Sequence, residues 1–137
     1  WSEARELDWW LLMHAPHRGM QALVRELNRL HREQPALHAL DASPDGFRWI
    51  EPDDADRSVF SWQRCGGAGV PRVLVLVNFT PVRRDAVPIP PGRWRLLLNT
   101  DDARWGGAGE ALAVTGSAVD LPGLSALYLL EEETQDA

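Results

Sequence analysis

Apolar residues at Met20, Leu23, Val24, Leu27 and Leu30 recur at helical intervals, which puts them on one stripe of an α-helix. Arg25, Glu26, Arg29, Arg32 and Glu33 fall on the other faces, and Pro35 supplies a stop. The spacing predicts a helix over 19–33. Residues 1–18 read as irregular, with one short helical turn through Asp8, Trp9, Trp10, Leu11 and Leu12 that Pro16 brings to an end. An isolated helix of this length is marginal in water, so the stripe implies a packing surface. That surface is either the region that follows or an element outside this chain.

After Leu40 the period changes from helical to alternating. Residues 47–50, 59–64, 72–78, 85–89, 93–99, 112–115, 118–121 and 126–131 read as short strands. Turn chemistry separates them: Pro52-Asp53-Asp54, Gly66-Gly67, Thr80-Pro81, Pro91-Gly92, Asp101-Asp102, Gly116 and Pro122-Gly123. Short strands at close spacing imply a sandwich or small barrel. The run Val73, Leu74, Val75, Leu76, Val77 is apolar on both faces and belongs in the middle of a sheet. Pro88 and Pro90 push their strand to an edge. The expected fold class is mainly β, an all-β sandwich preceded by one amphipathic helix.

Composition narrows the functions. The 137 residues suffice for a domain with a real core. No apolar run reaches membrane-span length and no signal peptide is visible, so neither a membrane partner nor export is expected. The net charge is −6, and all fourteen basic residues are arginines scattered along the chain. That balance argues against a nucleic-acid partner. The single cysteine, Cys65, cannot form an internal disulfide, which fits a reducing cytoplasm. The run Glu131-Glu132-Glu133 reads as a solvated, frayed tail. A first residue of tryptophan, not methionine, gives the expectation of a segment cut from a longer polypeptide.

One ordered set of short motifs goes further. Trp1-Ser2-Glu3 and Glu6-Leu7-Asp8-Trp9 are followed by Leu23-Val24-Arg25-Glu26-Leu27-Asn28 and Pro35-Ala36-Leu37. Gly46-Phe47-Arg48-Trp49-Ile50, Ser58-Val59 and Val77-Asn78-Phe79-Thr80-Pro81-Val82 come next. Gly92-Arg93-Trp94-Arg95, Leu98-Asn99-Thr100-Asp101 and Trp105-Gly106-Gly107 complete the order. Together they resemble the C-terminal portion of bacterial 1,4-α-glucan (glycogen) branching enzymes of the α-amylase superfamily. Two departures stand out: the short loop Ala108-Gly109-Glu110, and Leu121-Pro122-Gly123-Leu124 where that family carries a proline-proline-leucine run. Hydrolases releasing trehalose from maltooligosyl-trehalose are therefore the runner-up family. A free-standing carbohydrate-binding module is a further alternative.

The resemblance implies that residues 1–40 are the end of a catalytic (β/α)8 barrel, its last loop and helix. Residues 41–131 would be the C-terminal β-sandwich domain, and 132–137 an acidic tail. It implies glycogen biosynthesis in the cytoplasm, by a glycosyltransferase whose nucleophile and acid/base carboxylates lie upstream. The chain itself would hold no catalytic residue, no cofactor and no metal. Its partners would be its own barrel and an α-glucan.

His14 and His17 have metal-like spacing but flank a proline with no cysteine or carboxylate cluster beside them. Asp53, Asp54 and Asp56 lack the glycine and terminal glutamate of a calcium loop and read as a turn, as do Asp101 and Asp102. Seven tryptophans are the better candidates, because indole faces stack on the apolar faces of glucose rings. Trp62, sharing a strand face with Phe60, and Trp94, with Leu96 and Leu98, read as core. Trp49 and Trp105, followed by Trp1 and Trp9, are the candidates for contact with a long glucan.

Overall fold

The computed structural model describes residues 3, 4 and 6–132, so Trp1 lies outside the described residues. Helix α1 spans Ala15–Glu33, preceded by a 3-10 turn at Trp9–Met13. The strands are β1 (Phe47–Asp54), β2 (Val59–Arg64), β3 (Val73–Asn78), β4 (Arg84–Pro88), β5 (Arg93–Asn99), β6 (Ala118–Leu121) and β7 (Ser125–Glu132). A five-stranded antiparallel sheet has the order β1-β2-β3-β7-β5, and β4 pairs with β6 in a two-stranded sheet. This is the mainly β architecture expected, with β3 at its centre.

Three layers result. On one face of the large sheet, Val59, Leu74, Leu76, Trp94, Leu127 and Leu129 enclose a core with Val87, Ile89, Val119 and Leu121 from the small sheet. Fully burying one such aliphatic side chain is worth about 1.5–3 kcal/mol. The opposite face carries Val73 and Val75, covered by Ala36 of the 3-10 turn Pro35–Leu37 that follows α1. Both faces of β3 are thus buried, the reason its sequence lacks alternation.

Helix α1 is held at two places. Near its start, Gly19 lies against the backbone of Trp105, so closely that a Cβ would fall 2.3 Å from the Trp105 carbonyl oxygen. Past its end, Ala36 is 1% exposed against the sheet. Between them, Leu27, Leu30, Leu37 and Val75 form the apolar part of a groove of about 340 Å³.

Several expectations require correction. The helix begins at Ala15, four residues before Gly19, and Pro16 opens it instead of ending the preceding turn. A proline in the first helical turn loses no hydrogen bond, because those N–H groups have no partner in the helix. The apolar stripe is not buried throughout: Leu30 is enclosed, Leu23 and Leu27 are half-buried, and Met20 and Val24 are exposed. Residues 112–115 are not a strand; Val114 makes an isolated bridge to Val119. Leu96 is 37% exposed, because a register shift between Leu96 and Leu98 breaks the alternation of β5. Glu131 and Glu132 are not frayed but belong to β7, where Arg72 pairs with Glu131 and Arg93 and Arg95 lie beside Glu132.

Candidate functional site

The exposed aromatic surface is built by cross-strand pairing. Phe47 and Trp49 alternate on one face of β1, and Trp49 is directly opposite Trp62 of β2. The three rings meet: Phe47 to Trp49 at 5.1 Å between centroids, Trp49 to Trp62 at 5.9 Å, and Phe47 stacked on Trp62 at 6.3 Å. Trp49 is 51% exposed and Phe47 40%. Trp62 is half-buried at the fringe of the second core cluster, so the reading of it as plain core is corrected. Trp94 is core, its Nε1 donating to the Pro90 carbonyl at 2.8 Å. Phe47 was not singled out from sequence, although its i, i+2 relation to Trp49 was a usable signal.

Trp105 sits in a different setting. Its Nε1 donates to the Asn99 carbonyl at 3.0 Å, and the Arg104 guanidinium lies 4.6 Å from its ring centroid. The loop beneath it is organised by Asp101, whose carboxylate accepts from the amides of Ala108 at 2.8 Å and Glu110 at 3.0 Å. Asp102 caps the 3-10 turn through the Arg104 amide at 2.8 Å, and its hydrogen bond from the Arg104 side chain holds its carboxyl below the usual range. A Cβ on Gly107 would fall 2.1 Å from the Asp101 carbonyl oxygen, so this motif demands glycine. Asn78 plays a similar part elsewhere: its amide donates to the carbonyls of Val82 at 2.8 Å and Pro122 at 3.1 Å, and its oxygen accepts from Thr80. These motif residues shape loops.

Trp9 is 64% exposed on the opposite flank of α1, where it lines a shallow apolar depression with Leu7, Leu12, Met20 and Val24. The candidates do not converge. Trp49 is on edge strand β1 and Trp105 follows edge strand β5, and four strand spacings, about 19 Å, separate those edges. Among the described residues no group of three or more His, Cys, Asp or Glu is arranged to hold a metal. No helix among them is long and apolar enough to cross a membrane.

Residues 49–131 match the family model of the alpha amylase C-terminal all-beta domain. Nearly the whole chain is also similar to 1,4-alpha-glucan branching enzymes GlgB. It is 46% identical over 144 residues to that of Nitrobacter hamburgensis, with 96% of this chain and 20% of the relative covered. To that of Rhodopseudomonas palustris (strain BisB5) it is 48% identical over 145 residues, covering 97% and 20%. To that of Mesorhizobium japonicum it is 53% identical over 112 residues, covering 80% and 15%. The chain therefore spans no more than about a fifth of the length of these curated relatives. Among solved structures, trehalulose synthase MutB superposes with a TM-score of 0.58 and 22% identity, over 80% of this chain and 17% of that one. A sucrose complex of MutB gives 0.59 and 23%, over 81% and 17%. That likeness shows the fold alone. From strand order, layers and family match together, the chain belongs to the alpha-amylase C-terminal all-beta domain family.

Proposed function

We propose that this chain is the C-terminal support of a cytoplasmic 1,4-α-glucan branching enzyme and performs no chemistry itself. The observation that carries the reading is the similarity of almost its whole length to enzymes of that name. In the proposed parent, a carboxylic acid elsewhere in the protein protonates the departing oxygen of an α-1,4 linkage as that bond breaks, and the glucosyl carbon becomes bonded to a carboxylate nucleophile. A 6-hydroxyl of a second glucan then displaces it to make an α-1,6 branch. The present domain contributes two surfaces. The exposed flank of α1 and the Trp9–Met13 turn, bearing Leu7, Trp9, Met13 and Met20, seats against the rest of the catalytic barrel. The Phe47–Trp49 surface contacts glucan, because exposed indole faces suit glucose rings. We assign Trp105 to holding α1, since its polar nitrogen and backbone are already engaged.

The test is an iodine-stain assay on amylose. The 137-residue chain leaves the stain unchanged, whereas the enzyme encoded by the full reading frame around it shifts the colour. Branching or hydrolysis by the 137-residue chain alone contradicts the proposal.

A further inference from the structure

The groove between α1 and the outer face of the large sheet is used by nothing described so far. Trp62 and Tyr128 line it as rings, and Asn28, His31 and Arg64 bring polar groups to it. Its volume of about 340 Å³ falls at the lower end of small-molecule sites, about 300–1,000 Å³.

The polar groups fall into two kinds. Arg64 is spent: its Nε donates to the Gly46 carbonyl at 3.1 Å, and its guanidinium also meets the Leu37 carbonyl at 3.2 Å and the Asp41 carboxylate. The one arginine of the groove is thereby paired and fixed. In contrast, the Asn28 amide, the His31 imidazole, the Tyr128 hydroxyl and the Trp62 Nε1 make no hydrogen bond among the described residues. Burial also pushes the Tyr128 hydroxyl up, so it remains a neutral donor. Hydrogen-bonding groups without a protein partner, above an apolar floor and flanked by two aromatic rings, suit a polyhydroxylated ring better than a greasy side chain. Trp62 also touches Phe47 and Trp49, so the groove continues directly into the exposed aromatic surface.

We infer that this groove is an α-glucan subsite, taking one glucosyl unit of a chain whose neighbouring units lie across Phe47 and Trp49. The inference rests on the glucan contact proposed above and extends it into the seam between helix and sheet. A linear oligomer long enough to span both parts binds more tightly than one that fills a single part.

The experiment follows the indole N–H resonances of the 137-residue chain during titration with maltose and with maltoheptaose. Trp49 and Trp62 shift together, with one concentration dependence, and maltoheptaose binds more tightly than maltose. Asn28→Ala combined with His31→Ala removes up to two hydrogen bonds, and weakens maltoheptaose binding about 5- to 100-fold. Leu27→Phe fills the groove while leaving every polar group in place, and abolishes the Trp62 shift but not that of Trp49. If Trp49 responds while Trp62 and both groove variants behave as wild type, the groove inference is overturned and the glucan contact at Trp49 stands. If no indole responds to millimolar maltoheptaose, the glucan contact itself fails, and the groove with it.

Discussion

Gly19 shows how a single residue can position a helix. Without a side chain, α1 approaches the Trp105 backbone to a distance no other residue would permit. Gly19→Ala gains helix propensity but forces the helix away from the loop, and overpacking of this kind costs about 1–3 kcal/mol. Urea unfolding of the variant reads that loss directly, and an unchanged midpoint would show that the loop yields freely. Nothing local in the sequence announced this contact, because it joins positions far apart in the chain. Trp94 and the Val73–Val77 run were legible, since each follows a strand alternation or an unbroken apolar pattern. Trp62 was only half legible: alternation fixed its face, but which layer that face meets depends on where α1 lies.

At the scale of elements, β2, β5 and β6 fall where their patterns predicted, whereas β1 runs on through Pro52-Asp53-Asp54, which reads as a turn in the sequence. Segment 112–115 misled because its apolar alternation is real while its backbone partners are not: it touches β6 through one bridge only. The end of β7 misled in the opposite direction, since Arg72, Arg93 and Arg95 make two consecutive acids, Glu131 and Glu132, compatible with a strand. The hydrogen bond from Arg72, at 2.7 Å from its Nε, chiefly holds the Glu131 carboxyl below its usual range. A carboxyl depressed in the folded state adds stability above its unfolded pKa, about 4.3. That increment is lost as pH falls through the lower, folded value. Glu131→Gln therefore lowers stability at pH 7, by less than about 1 kcal/mol for so exposed a pair. Below pH ~4 its acid-unfolding profile is flatter than that of the wild type. Parallel unfolding curves for the two proteins across that range would refute the coupling.

For the whole molecule, the question is what lies outside its own core. Leu7, Trp9, Trp10, Met13, Met20 and Val24 are each at least 48% exposed on the Trp9–Met13 side of α1. Leu7, Trp9, Met20 and Val24 of this set line one shallow depression, and exposed apolar surface of this kind favours association. In isolation the chain is expected to self-associate, with an apparent mass by sedimentation that rises with concentration, and Met13→Glu with Met20→Glu restores the monomer. A wild-type chain that stays monomeric at millimolar concentration would show the patch to be too weak to matter. The sandwich was legible from sequence alone, whereas the division of α1 between an inner and an outer flank was not, because a helical stripe does not say which neighbour each edge meets. The two-point grip on that helix has a practical corollary for chimeras. A recombination joint in the 38–46 linker would sever Gly19 from its carbonyl seat and leave a foreign helix over a loop shaped for another. The transplantable unit begins ahead of α1, so helix and loop should travel together in any graft between relatives.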